Sequence, residues 1–222
     1  MRPASSSSAA PPRDAAQLVL EAIREMIYQG RLSPGQQLRQ EELAIALGVS
    51  RNPVREALKG LQAERFVGHS LNQGYFVTRF SAAELQQIYL MRQLVETQVL
   101  VSLPPFSRSD VQVLVKLNGA LGVAAEAPSV TEMTRINREF HFAIFNHSPF
   151  AFLVQELTRL WRLSELYRSL YLVAEPARRR IVEEHREIID AISRHDIVRV
   201  IEISDKHREV AEEVVFALLK DR

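Results

Sequence analysis

The sequence has no cysteine, no long apolar run and almost no net charge, and each of these features excludes a class of protein. Without cysteine there is neither a disulfide framework nor thiolate chemistry, which is compatible with a reducing cytoplasm. No apolar stretch approaches the ~20 residues of a membrane-spanning helix. The formal net charge is +1, so any affinity for nucleic acid must come from a local patch. We therefore expect a cytoplasmic protein with no membrane partner.

Length and composition indicate a globular protein with two domains. The 222 residues are enough for two cores, and 46% apolar with 25% charged residues is ordinary. Residues 1–14 are rich in Ser and Ala and lack the apolar core of a signal peptide. We interpret them as a disordered tail, with a transit peptide as the alternative. The rest is predicted to divide into domains at 15–80 and 81–222.

A helix-turn-helix pattern extends from Gln40 to Leu61. Gly48 stands where the end of the first helix favours a positive φ, and Ser50 offers a hydroxyl as N-cap of the second. Pro53 falls in the first turn of that helix, where the backbone loses no hydrogen bond. The outer face of the second helix is basic and carries an amide, which is typical of a recognition helix in the major groove. The alternative is an ordinary helical hairpin with a solvated basic face.

The flanking segments complete the pattern of a winged helix. Apolar residues at helical spacing predict a helix over 15–29. Short β-type segments at 66–67 and 75–78 enclose the turn-rich stretch 68–74, and two such strands form a hairpin. The predicted order is therefore helix, helix, helix, hairpin.

The segment from about Ala15 to Arg79 resembles the N-terminal domain of GntR-family transcription regulators. The resemblance rests on Leu32-Ser33-Pro34-Gly35, Leu43-Ala44, the run from Leu47 to Leu58, Leu61 and the turn at Gly74. It implies DNA contacts from Ser50, Arg51, Asn52 and Arg55, with Gln73 and Gly74 in the adjacent minor groove. Arginine can pair with guanine, and asparagine with adenine. Nine Lys/Arg against seven Asp/Glu over 13–79 predict modest nonspecific affinity, so a homodimer is expected to sum two half-sites.

The chain after residue 80 is predicted to be entirely helical. Ser81 and Glu84 form a capping box that begins a long helix, which Pro104 and Pro105 interrupt. Further helices are predicted at about 109–122, 129–146, 149–171, 176–194 and 196–219. The predicted fold class is mainly α, with an N-terminal winged helix-turn-helix containing a small β-hairpin and a C-terminal all-α helical bundle.

Three histidines lie on the apolar faces of three different predicted helices. His185 and His207 have apolar residues at i−4, i+3, i+4 and i+7, and His141 has them at i+3 and i+4. A buried histidine without a partner costs about 1–3 kcal/mol, so all three need partners. A divalent metal is one solution, with Asn137 supplying an oxygen one turn before His141. The alternative is three separate core histidines bonded to backbone carbonyls or to an acid such as Glu184.

The C-terminal segment resembles the all-helical FCD effector domain of the FadR subfamily. The resemblance rests on Asn137-Arg138-Glu139-Phe140-His141, on 184–192 and on His207. It implies a metal site of Asn137, His141, His185 and His207, holding Zn²⁺ or alternatively Ni²⁺ or another transition metal. Metal-binding members carry an acid where this chain has Asn137.

The same resemblance implies a small organic acid as effector, bound at an open position of the metal. Arg92 in the first long helix is the candidate counter-charge, and Arg162 and Tyr167 are further candidates. The alternative for all three is ordinary surface or bundle packing.

The predicted function is that of a ligand-responsive, homodimeric regulator of double-stranded operator DNA, acting as a repressor. Effector binding would change the spacing of the two recognition helices. One alternative is a metal-free regulator that senses a lipid or an acyl thioester. The other is a metal-dependent hydrolase, but no motif places a general base beside the histidines. We therefore expect no enzymatic activity.

Overall fold

The computed structural model describes residues 14–126, 130–171 and 175–220. Its elements are α1 (Ala15–Tyr28), β1 (Gln37–Leu38), α2 (Gln40–Leu47), α3 (Arg51–Ala63), β2 (Val67–Ser70), β3 (Gly74–Val77), α4 (Ala82–Val101), α5 (Arg108–Glu126), α6 (Val130–Phe145), α7 (Ala151–Tyr171), α8 (Glu175–Ser193) and α9 (Ile197–Lys220). They form two compact units, divided after residue 78, with residues 28–31 belonging to the second. The predicted fold class is confirmed. The predicted disordered tail lies, apart from residue 14, outside the described residues.

The helix-turn-helix forms because its local signals agree with its apolar stripe. Gly48 has φ of 65° and closes α2, with its N–H directed at the carbonyls of Ala44 and Ile45. The stripe of α3 is completely buried: Val54, Ala57, Leu58 and Leu61. Ser50 occupies the N-cap position of α3, but its hydroxyl makes no capping hydrogen bond, so that part of the prediction is wrong.

The wing is a three-stranded antiparallel sheet in the order β1-β3-β2. In the hairpin, Val67 pairs with Val77 and Ser70 with Gly74, so β2 extends into the stretch predicted to be a loop. Strand β1, which pairs Gln37 with Phe76, was not predicted from the sequence. A strand of two residues is too short to show alternation, and its pairing partner is distant in sequence.

The second unit is a helical bundle. The capping box of Ser81 and Glu84 is confirmed at the start of α4. The predicted end of the next helix near Gly122 is wrong, because α5 continues to Glu126. A mid-helix glycine costs only about 1 kcal/mol relative to alanine, and burial of Leu121, Ala124 and Ala125 outweighs that cost. The start predicted at Ser129 lies outside the described residues, and α6 begins at Val130.

The core of the bundle consists of two apolar clusters. One surrounds Phe140, Phe145 and Trp161, and the other surrounds Met133 and Ile181. His141 of α6 and His185 of α8 contact the aromatic members of the first cluster, and His207 of α9 lies beside these two histidines. None of the described helices is long and apolar enough to span a membrane.

Candidate functional site

The recognition-helix residues predicted to contact DNA lie at the exposed start of α3. Ser50 precedes the helix, and Arg51, Asn52 and Arg55 occupy its first two turns; all four are exposed. The buried stripe lies on the opposite face. This side of α3 can therefore enter a groove without disturbing the core, with its N-terminal residues toward the bases.

Both arginines on this face are paired within the domain. Arg51 Nη2 lies 2.5 Å from Glu41 Oε1 of α2. Arg55 donates from Nη2 to Asn52 Oδ1 at 2.6 Å, and its Nε lies 3.3 Å from Glu56 Oε1. Exposed ion pairs contribute only about 0–1 kcal/mol, so DNA can replace these partners.

Replacing Glu41 by glutamine is expected to tighten DNA binding about twofold to fivefold per half-site, because a carboxylate that competes for Arg51 is removed. The measurement is fluorescence anisotropy at fixed salt, with a duplex selected from a random library. Glu183→Gln removes an equivalent charge from an exposed ion pair in α8 and should leave affinity unchanged. Unchanged or weaker binding by Glu41→Gln would show that the two groups do not compete.

The wing residues predicted to contact DNA are Gln73, at the end of the turn after β2, and Gly74, the first residue of β3. Gln73 is exposed, and its backbone oxygen accepts a hydrogen bond from Gln37 Nε2 at 2.7 Å. Gly74 has φ of 67°, a conformation that side-chain-bearing residues rarely adopt. Leu71, which the sequence analysis missed, is completely exposed in this turn. Because Gln37 belongs to β1, this strand, which was not predicted, contributes a hydrogen bond to the wing turn.

The three histidines converge inside the bundle. His141 of α6, His185 of α8 and His207 of α9 are at most 2% exposed. Their ring centroids are separated by 4.9, 5.3 and 5.3 Å. Phe140 stacks on His185 with the ring centroids 3.9 Å apart, which fixes the orientation of that imidazole. The apolar faces of α6, α8 and α9 that carry these histidines therefore meet at one place inside the bundle.

The spacing of the imidazole nitrogens fits a metal site. His141, His185 and His207 each offer a nitrogen, and these atoms all lie within 4.8 Å of one another. The Nε2 atoms of His141 and His185 are 3.2 Å apart. Two nitrogens at about 2.05 Å from one tetrahedral zinc would be roughly 3.3 Å apart. The triad could therefore hold a divalent metal.

Asn137, one turn before His141 on α6, is a candidate fourth ligand of such a metal. Its side chain is fully buried, and neither Oδ1 nor Nδ2 has a hydrogen-bond partner. Leaving a buried polar group unsatisfied costs about 1–3 kcal/mol. Coordination of a cation by Oδ1 would remove part of that cost, which supports Asn137 as the fourth member of the site.

A buried carboxylate orients the third histidine. Glu184 Oε2 lies 2.6 Å from His207 Nδ1, and Arg180 Nε lies 3.3 Å from the other oxygen of the same carboxylate. A hydrogen bond from Nδ1 leaves the lone pair on Nε2, the tautomer that binds a metal. Burial raises the pKa of the Glu184 carboxyl, while Arg180 and Lys206 lower it.

A small cavity lies beside His207 in the same unit. Its walls include Arg92, Trp161, Ser164 and Arg208. About 10 Å³ is accessible to the centre of a water molecule, which is room for about one water. A carboxylic acid is larger, so binding one here requires at least one of these side chains to move.

Glu96 pairs with both arginines that border this cavity. It lies 3.1 Å from Arg92 Nε and 3.4 Å from Arg208 Nη1, and it accepts from Trp161 Nε1 at 3.3 Å. The Arg92 guanidinium carbon is 3.8 Å from the centroid of the Trp161 ring. The predicted counter-charge is therefore already paired. The i, i+4 spacing could have indicated Glu96, but no local signal indicated Arg208.

The other two predicted effector residues lie outside the cavity wall. The Tyr167 hydroxyl accepts from the Phe80 N–H at 2.8 Å and lies 3.3 Å from the Phe80 carbonyl oxygen. Arg162 is half-buried and is not among the residues that line the cavity. Neither therefore contacts the space between Arg92 and His207.

Replacing Glu96 by glutamine is expected to destabilise the bundle by about 3–5 kcal/mol, because buried Arg92 loses its carboxylate partner, whereas Arg208 keeps Asp205. Urea unfolding followed by fluorescence measures this directly, since Trp161 is the only tryptophan of the chain. Glu183→Gln, at an exposed pair, should cost less than about 1 kcal/mol. A change in Glu96→Gln as small as in this control would rule out the buried network as a major stabilising element.

Comparison with known proteins identifies both parts of the chain. Residues 15–77 match the bacterial regulatory proteins of the gntR family, and residues 87–210 match the FCD domain. The Nta operon transcriptional regulator of Aminobacter aminovorans is 31% identical over 72% of this chain and 75% of its own length. YdhC, an HTH-type transcriptional regulator of Bacillus subtilis, is 27% identical over 88% of this chain and 83% of its own.

A solved structure has the same fold. Escherichia coli McbR/YncC superimposes with a TM-score of 0.77 at 22% identity, covering 93% of this chain and 99% of that one. The matched domains and relatives are transcriptional regulators rather than enzymes, so the hydrolase alternative is wrong. The chain is a DNA-binding transcriptional regulator of the GntR family, with an N-terminal helix-turn-helix domain and a C-terminal FCD effector-binding domain.

Proposed function

We propose that this regulator senses a small carboxylic acid through a divalent metal held by Asn137, His141, His185 and His207. The observation that carries the proposal is the convergence of three buried histidines, with a buried asparagine amide that lacks hydrogen-bond partners one helical turn before the first of them. Nitrogen-rich sites of this kind suit zinc, and nickel is an alternative. The metal would supply an open position for an oxygen ligand.

The effector is proposed to occupy the cavity beside His207. Arg92 and Arg208 border it and can donate to a carboxylate, while Trp161 provides an apolar wall. Because Glu96 already engages both arginines, the acid is proposed to share them with Glu96 or to displace it. Competition of this kind favours a ligand whose carboxylate also gains a bond at the metal.

The DNA-binding event is proposed to involve a homodimer in the cytoplasm. Operators with two half-sites match a dimer with twofold symmetry, and contacts to both half-sites add. Exposed Leu90, Leu94 and Val101 share one face of α4 and offer an apolar surface for a second copy. Arg92 and Glu96 face inward from the same helix, so effector and partner would act on one element.

Repression is the proposed direction of regulation, since a dimer that occupies a promoter blocks transcription. An effector that prefers one arrangement of the two recognition helices would change operator affinity by that preference. Coupling free energies of about 1–3 kcal/mol correspond to a change of roughly 5–150-fold.

The test is operator binding by zinc-loaded protein in the presence of small mono- and dicarboxylic acids. At least one acid should change the dissociation constant by about fivefold or more. His207→Ala should bind the same operator without responding to that acid. A response that persists in the variant, or that appears equally in metal-stripped protein, would contradict a metal-dependent effector site.

A further inference from the structure

We infer that the metal centre is anion-dependent: because Asn137 and the three histidines are all neutral donors, the metal and a carboxylate bind cooperatively, each tightening the other. This inference rests on the proposed metal site and specifies how that site is regulated. The bound acid would then help to retain the metal ion, instead of binding later to a metal centre that is already complete.

The donor set supplies no negative charge. The cluster of possible ligands among the described residues contains His141, His185 and His207 and no carboxylate. Imidazole binds metals in its neutral form, and the Asn137 amide has no charge. A divalent ion held by these four groups would keep its full charge in a buried site, where an uncompensated charge is unfavourable.

The carboxylates near the cluster are already paired with guanidinium groups. Glu184 faces Nδ1 of His207 and is held by Arg180, so it lies on the side of the ring away from Nε2. Glu165 Oε2 lies 3.2 Å from Arg138 Nη1. Glu96 is shared between Arg92 and Arg208. An external anion is therefore the simplest source of compensating charge.

The amide of Asn137 adds a second reason for cooperativity. Both of its polar atoms are buried and without hydrogen-bond partners, so one ligand cannot satisfy the residue. With Oδ1 toward a cation, Nδ2 remains a donor for an oxygen of an adjacent anion. An aspartate at this position would instead compensate the positive charge of the metal ion and repel the anion.

The experiment measures zinc affinity by competition with a chromophoric chelator, using acetate as the probe. Wild-type protein is titrated in sodium acetate and in sodium perchlorate of equal ionic strength, with chelator-only titrations correcting for zinc bound by acetate. Acetate should tighten zinc binding about tenfold. Asn137→Asp, of nearly identical size, should bind zinc more tightly than wild type in perchlorate and gain less than about twofold from acetate.

The outcomes separate this inference from the proposed function. Zinc bound by wild type with equal affinity in both media leaves the metal site intact and overturns the anion dependence. An equal gain from acetate in wild type and Asn137→Asp overturns the role of the amide. Zinc bound in neither medium overturns the metal-dependent function and this inference with it. The wild-type comparison alone decides the first point, so it does not depend on folding of the variant.

Discussion

Replacing Arg51 and Arg55 together by alanine is expected to abolish operator binding while leaving the fold intact. Each bidentate arginine–guanine contact contributes about 1–3 kcal/mol, so two per half-site give about 2–6 kcal/mol, and at least about a thirtyfold loss of affinity. Both side chains are more than half exposed, and neither belongs to the buried stripe of α3. The measurement is an anisotropy titration with a selected duplex, accompanied by circular dichroism.

The matched control for this double variant is Arg186→Ala with Arg194→Ala. These exposed arginines of the C-terminal unit remove the same charge from the chain. If loss of bulk charge weakened binding, both double variants would lose affinity equally. That result, or operator binding by the Arg51/Arg55 variant at the wild-type level, would contradict the assignment of α3 as the recognition helix.

The second large effect is expected from His185→Ala, which should remove the thermal stabilisation provided by metal. A ligand at 1,000 times its dissociation constant stabilises the folded state by about 4 kcal/mol, so zinc should raise the wild-type midpoint by several degrees. His185 is fully buried and is one of three possible nitrogen ligands. Thermal unfolding with and without zinc measures the difference.

Loss of the imidazole also leaves space beside Phe140, so lower basal stability alone would not establish a metal site. The relevant quantity is the shift that zinc causes within each variant. His147→Ala removes a histidine of the same unit that lies outside the cluster, and it should keep the full zinc shift. An undiminished shift in His185→Ala would exclude this residue from the metal site.

The parts of the fold that the sequence predicted correctly depend on neighbouring residues. Gly48 and the Ser81–Glu84 capping box act within one or two turns, and their geometry follows from residue type. The capping hydrogen bond predicted for Ser50 was a local error, and two other errors occurred where distant contacts decide. Strand β1 exists only through its pairing with β3, and α5 continues past Gly122 because its apolar side chains are buried in the bundle.

In the candidate site, too, features set by local spacing could be predicted, and features set by distant contacts could not. The apolar faces of three helices predicted that the histidines point into one core, because the 3.6-residue period relates sequence spacing to direction. That they converge, and that Asn137 is left without hydrogen bonds, depends on how α6, α8 and α9 pack. Arg92 was predicted as the counter-charge of an effector, with bundle packing as the alternative; Glu96 pairs with it and with Arg208, which lies on a helix more than 100 residues later. No pattern in the sequence predicts that Arg92 and Arg208 share Glu96.

The most direct test of the central claim is the metal content of untagged wild-type protein purified without chelators. Elemental analysis should find about one divalent metal per chain, either as purified or after incubation with zinc and removal of the excess. That result would distinguish a metal-dependent regulator from one that senses a lipid or an acyl thioester without metal. Absence of metal after both treatments, with acetate present, would contradict the account. The three histidines would then have to be explained as core residues or direct ligand contacts.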